Sequence, residues 1–369
     1  MNIAMNRERI LVLVAAVAAI WSASPGRACT GITQHAADGT RIVGRTIEWG
    51  GTNLNSRYAI VPRGYEQSSF LPDGGKGMTF KARYGYVGLS VENEAFVAEG
   101  INEKGLSAGL FYFPAYGEYP AYDSTKKAVT ITDLQLVSWI LGQCATVDEV
   151  EPAIRGVRVV AIDPRASTVH WRFSDPSGRQ IVLEIIGGEP RFYENKLGVL
   201  TNSPGLEWQL TNLNNYVNLR SGSAESLQLD SLRLSPFGAG SGFLGLPGDV
   251  TPPSRFVRAA FYQATAPVLP TSREAVMQTF RILSSFEIPI GIEFAAGQKP
   301  TDIPSATQWT AVADMTHRAI YYNTMYNSAV RCIDLSTIDF GKVTYQSQPL
   351  DAVQQQPIEM ITIKQSSKR

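Results

Sequence analysis

Apolar and polar positions along the chain change period several times, and the changes mark out its elements. Residues 10–20 form one unbroken apolar run. Beyond it, short runs rich in β-branched and aromatic residues predict strands over Arg41–Glu48, Ala59–Pro62 and Arg83–Val91. Phe96–Gly100 and Gly105–Phe113 flank Ile101-Asn102-Glu103-Lys104, a hairpin signal. The period then becomes helical: Leu134, Val137, Ile140, Leu141 and Cys144 share a face, with Thr132-Asp133 as the start and a second short helix over Val147–Ile154. Strands return over Val157–Ile162, Thr168–Phe173 and Gln180–Ile186, the last two joined by the turn Asp175-Pro176-Ser177-Gly178. Helices are predicted over Glu207–Asn218, Ser254–Ala264 and Ser272–Ser285, and a hairpin over Thr307–Tyr326. Gly240, Gly242 and Gly245 match a GxGxxG string, but Pro247, Pro252 and Pro253 follow where a dinucleotide motif opens a helix, so 236–249 reads as a loop. Strand blocks alternating with helix pairs predict an α+β fold, a two-layer sheet core with helices outside.

The apolar run at 10–20 changes the picture of the N-terminus. Arg7 and Arg9 precede it, and Gly26-Arg27-Ala28 closes it with small residues where signal peptidase reads them. Residues 1–28 therefore read as a signal peptide and 29–369 as a single domain, exported to a periplasm or secreted. An anchor that stays attached is disfavoured, because a bilayer span takes ~20 apolar residues. A lipoprotein signal, with Cys29 lipidated, wants an aliphatic residue where Gly26 stands. Removing three basic and one acidic residue from 33 of each leaves 30 and 32. That balance gives no electrostatic reason to bind nucleic acid or, once the signal is gone, a membrane. Of the three cysteines, Cys144 and Cys332 read as small buried hydrophobes, with a disulfide between two of the three as the alternative.

Cleavage after Ala28 puts a thiol and a free α-amine on the same residue. The amine titrates near 7.7–8.0 and the thiol at about 8.5, so one can deprotonate the other near neutrality. None of the three histidines is spaced for a metal site, and no metal or external cofactor is expected. An arginine near Cys29 would favour the thiolate. Arg45 and Glu48 lie on the next strand, but three residues apart they fall on opposite faces, and on their own they read as solvated charges.

Six segments carry a resemblance: Cys29-Thr30-Gly31, Gly44-Arg45-Thr46-Ile47-Glu48, Asn102-Glu103-Lys104-Gly105-Leu106, Leu200-Thr201-Asn202-Ser203-Pro204, Asn212-Leu213-Asn214-Asn215-Tyr216 and Ser254-Arg255-Phe256-Val257-Arg258. In this order and spacing the chain resembles the choloylglycine hydrolases, bile salt hydrolases and penicillin V acylases among them, and within them the exported Gram-negative branch. The resemblance implies an N-terminal-nucleophile hydrolase with an αββα sandwich. It implies Cys29 as nucleophile, Arg45 beside the thiol, Asn202 in the oxyanion hole and Arg255 as a second active-site arginine. Glu48 stands where many members carry an aspartate that contacts the α-amine. Tyr112 is the candidate second oxyanion donor. The implied reaction is cleavage of a linear amide through a thioester, with an apolar acyl group on a small-molecule substrate. Conjugated bile salts come first, penicillin V and N-acyl homoserine lactones next, and a homotetramer is the implied assembly. Aromatic and aliphatic residues near Tyr84 and Tyr86, Phe111–Tyr116 and Phe237–Leu246 are candidates for the acyl pocket. The rival from another class is an exported, non-catalytic binding lipoprotein lipidated on Cys29.

Overall fold

Two antiparallel sheets lie face to face, with helices on the outer face of each, in a computed structural model that describes residues 27–295 and 297–364. The expected signal peptide lies outside these residues except for Arg27 and Ala28. The strands are β1 (Arg27–His35), β2 (Arg41–Trp49), β3 (Arg57–Val61), β4 (Glu66–Phe70), β5 (Lys76–Lys81), β6 (Tyr86–Ser90), β7 (Val97–Asn102) and β8 (Ser107–Tyr112). Then come β9 (Thr130–Thr132), β10 (Arg158–Val160), β11 (Val169–Ser174), β12 (Gln180–Ile186), β13 (Glu189–Glu194), β14 (Leu227–Leu229) and β15 (Leu232–Leu234). The last are β16 (Thr307–Asp314), β17 (Ala319–Thr324), β18 (Asn327–Asp334) and β19 (Gln346–Pro349). The five-stranded sheet runs β1-β2-β16-β17-β18 and the eight-stranded sheet β13-β12-β11-β8-β7-β6-β3-β19.

Helices α1 (Leu136–Gln143) and α2 (Val147–Arg155) cover the larger sheet, and α4 (Pro252–Thr265) and α5 (Ser272–Ser284) the smaller; α3 (Leu206–Asn212) packs on α4. This sandwiching explains β2, buried at every position from Ile42 to Trp49. One face meets the other sheet and one meets α5, so its side chains need not alternate apolar with polar. Gly44 permits the close helix approach: a Cβ there would meet Thr279 Cγ2 at 2.6 Å and Leu283 Cδ1 at 2.9 Å. The Thr271 capping box starts α5.

Most predicted elements stand within a few residues of their expected ends. The strand expected from Arg83 begins at Tyr86, because the Arg83 and Tyr84 N–H groups bond Gly142 O instead of a neighbouring strand. The helix expected over Glu207–Asn218 ends at Asn212 and tightens into a 3₁₀ turn through Tyr216. There Asn214 Nδ2 donates to Thr211 O at 2.8 Å, the local bonding by which asparagine competes with helix. Cys332 is exposed on edge strand β18, which corrects its reading as a buried hydrophobe; Cys144 is buried, and all three cysteines are free. Among the described residues no helix is long and apolar enough to cross a membrane.

Candidate active site

Cys29 sits on β1, the edge strand of the smaller sheet, and register decides what surrounds it. It pairs with Ile47, while Gly31 pairs with Arg45 and Ala28 with Glu48. Paired residues share a face, so Cys29 and Arg45 point between the sheets and Glu48 toward the helices. The alternation expected for Arg45 and Glu48 therefore holds, yet both serve the same residue. One flanks its thiol and the other lies on the face beneath its backbone.

Arg45 Nη2 lies 2.7 Å from Cys29 Sγ. The guanidinium is fully buried and held by backbone carbonyls: Nε donates to Thr46 O at 3.1 Å, and Nη1 to Ala98 O at 3.1 Å and Leu110 O at 2.6 Å. It stacks over Phe111 at 4.3 Å from the ring centre. Two residues missed from the sequence complete this charge cluster. Glu99 Oε2 is 3.9 Å from Arg45 Nη1, and Glu99 Oε1 is 3.5 Å from Arg172 Nη2. Arg172 also reaches across the sandwich to Ile32 O and Gly44 O. Gly31 makes room for it, since a Cβ there would lie 2.7 Å from Arg172 Nη1. Neither residue carries a motif, because strands far apart in sequence bring them together. The cluster is two guanidiniums to one carboxylate, so the floor under the thiol is electropositive.

Burial pushes the Cys29 thiol above its ordinary value and the Glu48 charge pushes the same way, while Arg45, the backbone N–H of Tyr112 and Arg255 hold it down. Tyr112 thus acts on Cys29 through its main chain. Its carbonyl accepts from Asn202 Nδ2 at 2.7 Å, and its side chain lines the pocket beside the thiol.

The other side of Cys29 belongs to the segment that borders the free edge of β1. Gly31 and Leu200 exchange backbone bonds, which brings Asn202 Oδ1 within 2.9 Å of Cys29 N. Asn202 Oδ1 also accepts from Arg255 Nη2 at 2.7 Å, and the two donors orient the amide so that Nδ2 is turned toward Tyr112 O. Arg255 stands in the first turn of α4, behind Pro252 and Pro253. Its Nη1 donates to Cys29 O and to Thr30 Oγ1, and Nε to Val250 O. Burial lowers its pKa while the Glu48 charge opposes the fall. His170 is a core residue: it stacks on Phe113 at 4.4 Å and contacts Thr201 O at 3.0 Å, bracing the Asn202 segment.

Glu48 is buried, with Oε1 3.3 Å from Thr307 Oγ1 and Oε2 without a hydrogen-bond partner. Burial lifts its carboxyl to about 7, with Arg255 opposing. A raised folded-state value means that the folded chain holds this proton more tightly than the unfolded chain. Stability then falls as pH rises from the ordinary 4.5 to about 7, and the penalty stays constant above. In a chain that retains the residues before Cys29, Glu48→Gln is expected to be the more stable form at pH 8, by up to roughly 3 kcal/mol at 1.36 kcal/mol per unit. At pH 4 the two should match. Thermal melts at the two pH values check this, and equal stability at pH 8 would refute a buried, unpaired Glu48.

Beside the thiol lies a small pocket lined by Ile47, Trp49, Leu54, Phe96, Leu110 and Leu134, with Glu92 also in its lining. The segments expected to supply an acyl pocket contribute only Tyr112. Tyr86 is buried in the core, Phe111 lies under Arg45, and Phe237 is fully exposed. Taken together, the site offers a thiol on an electropositive floor, a backbone nitrogen held by an amide oxygen, a buried carboxyl on the face beneath it, and a largely apolar pocket.

Residues 29–348 match the model of the linear amide C–N hydrolases, choloylglycine hydrolase family. The chain is 31% identical over 316 residues to a bile salt hydrolase/transferase of Clostridium perfringens, covering 84% of this chain and 92% of that one. It is 25% identical over 328 residues to the penicillin V acylase of Pectobacterium atrosepticum, covering 81% and 78%. A crystal structure of a variant of the conjugated bile acid hydrolase of C. perfringens superposes with a TM-score of 0.78 at 27% identity, over 90% of this chain and all of that one.

Proposed function

We propose, since this chain belongs to the choloylglycine hydrolase family and is a linear amide hydrolase with the N-terminal-nucleophile α+β sandwich, that Cys29 becomes its first residue and its nucleophile. The family match begins at residue 29, which supports cleavage after Ala28. Ala28 is buried against Ile288 and Ala306 and paired in the sheet, so cleavage precedes folding. The signal peptide directs export to a periplasm, as in the Gram-negative branch, and residues 29–369 act as one catalytic unit. A lipid on Cys29 would have to displace Arg45 from the thiol of a buried residue, which disfavours the lipoprotein reading.

The observation that carries the mechanism is the pair of contacts on one residue, Arg45 on Sγ and Asn202 on N. With the chain cut, that nitrogen is an amine. It takes the thiol proton, and the thiolate attacks the substrate carbonyl. Arg45 holds the thiolate. Asn202 Nδ2 and the Tyr112 region receive the oxyanion. The amine then returns the proton to the departing nitrogen, the C–N bond breaks and a thioester remains, which water hydrolyses by the same proton path in reverse. Glu48, no longer without a partner, balances the ammonium. The residues hold the reaction without metal or cofactor.

The apolar pocket takes the acyl group, and conjugated bile salts are the substrate class we favour. Penicillin V and N-acyl homoserine lactones present the same apolar acyl amide. Four exposed leucines on the β14–β15 hairpin, Leu227, Leu229, Leu232 and Leu234, favour contact between copies in a homotetramer. Purified mature protein should release glycine from glycocholate and taurine from taurocholate at least tenfold faster than it cleaves penicillin V or an acyl homoserine lactone. The reverse order reassigns the substrate. No turnover of any of them by a chain whose N-terminus is shown to be Cys29 sinks the reading.

A further inference from the structure

Among the described residues, the buried carboxylate oxygens without a hydrogen-bond partner are Glu48 Oε2, Glu92 Oε1, Glu99 Oε2 and Glu293 Oε2. Glu48 lies by the nitrogen that cleavage converts to an amine. Glu92 has no such destiny. Glu92 lies in the turn between β6 and β7, its backbone in the left-handed region at φ 58. A non-glycine residue there costs about 1–2 kcal/mol. Its own N–H is tied to Leu54 O at 2.8 Å, and Leu54 and Val91 line the pocket beside it. The turn is rigid: Asn93 accepts from the N–H groups of Ala95 and Phe96. The backbone of the turn is thus fixed where Glu92 lines the chamber that holds Cys29 and Arg45. Among the described residues no salt bridge reaches it, and burial alone raises its pKa. A strained backbone that presents an unpaired acid to an apolar chamber is expensive unless something arriving in the chamber completes it.

We infer that Glu92 is a specificity-determining residue, whose carboxyl hydrogen-bonds a hydroxyl on the otherwise apolar acyl half of the substrate. A hydroxyl fits better than a cation, because it can donate to the carboxylate and accept from the protonated acid, so it completes Glu92 in either state. Apart from Cys29, Arg45, Glu48 and Tyr112, the remaining lining is apolar and rewards hydrocarbon, so a further polar point at Glu92 selects among acyl groups by where they carry oxygen. A site built to bond a hydroxyl rejects the analogue without it, since the buried acid is then left unpaired. The inference rests on the pocket being the acyl site.

The test uses paired compounds that differ only in hydroxyls: glycocholate against the glycine conjugate of unhydroxylated cholanic acid, and 3-hydroxydodecanoylglycine against dodecanoylglycine. Wild type should prefer a hydroxylated member in kcat/KM, chiefly through KM. Glu92→Leu should shrink that preference about tenfold, and Glu92→Gln, which keeps the hydrogen-bonding capacity, should retain most of it. The ratio within a pair cancels any general loss from misfolding. The free acids are titrated in parallel by calorimetry into the folded Cys29→Ser protein, so that failure of the hydrolase reading is seen separately from failure of this one. Hydroxyl-dependent binding that Glu92→Leu removes supports the inference even without turnover. An unchanged ratio in Glu92→Leu, by kinetics and by binding, overturns it. So does a Glu92→Gln variant that loses as much as Glu92→Leu, since that would mark charge rather than hydrogen bonding as the determinant.

Discussion

Cys29→Ser is expected to lower amide hydrolysis by roughly 10⁴–10⁶-fold, the loss seen when a nucleophile is removed from a unit that acts together. The hydroxyl that replaces the thiol is far harder to deprotonate, and an α-amine titrating near 7.7–8.0 cannot make up the difference. The change costs little structure. Serine is nearly the size of cysteine, and the contacts that place the residue are made by its backbone, through Asn202 on its nitrogen and Arg255 on its carbonyl. Melting temperatures within a few degrees of wild type are therefore expected beside the loss of activity. A second protein keeps the thiol but carries one extra residue before it, blocking the amine. It should be equally inactive, and together the two separate the thiol from the terminus. More than about 1% of wild-type activity in either, against that 10⁴-fold expectation, would mean that another group is the nucleophile or that another base serves Cys29.

Asn202→Ala is expected to reduce kcat by about 10²–10³-fold with a smaller change in KM, as removal of an oxyanion donor does. Its cost in stability should be about 1–3 kcal/mol, because Arg255 Nη2 and Cys29 N both lose their acceptor inside the protein. Asn202→Asp sharpens the test. It keeps an oxygen for both donors but sets a second oxygen where Nδ2 donates to Tyr112 O, so it should recover only part of the stability and none of the kcat. If Asn202→Asp were as active as wild type, the oxyanion would have to be held by other groups, such as the Tyr112 main chain. The two substitutions together divide what Asn202 does for the fold from what it does for the reaction.

How much of this was legible before the structure varies by residue, and the differences have physical causes. The proposal for Cys29 starts from chain order: an apolar run and a small-residue site before it read as an export signal, and no folding is needed to see that pattern. The face alternation of Arg45 and Glu48 was legible because a strand's period is local, and the structure keeps it. What the pattern could not say is that one residue needs both faces, its thiol on one side and its nitrogen near the other. Asn202 and Arg255 have no local signature; a turn asparagine and a charge in a helix's first turn look like many others, and only the resemblance singled them out. The Arg172–Glu99 pair escaped entirely, since its members lie 73 residues apart on different strands. Of the segments expected to line an acyl pocket, only Tyr112 reaches the pocket beside Cys29, because aromatic content does not reveal which side of a strand ends up facing a cavity. Tyr86 and Phe111 went to the core and under Arg45.

By itself the sequence determined the period of each element, the alternation of strand blocks with helix pairs and the electrical neutrality of the chain. These follow from interactions between near neighbours or from simple counting. Only the tertiary structure decided the electropositive floor beneath the thiol, the amide that holds the Cys29 nitrogen, the unpaired acids and the shape of the pocket. Each of those arises where the two sheets close on one another and burial strips water from charged groups. Which charges are then paired, and which are left waiting, depends on register and on contacts between segments far apart along the chain.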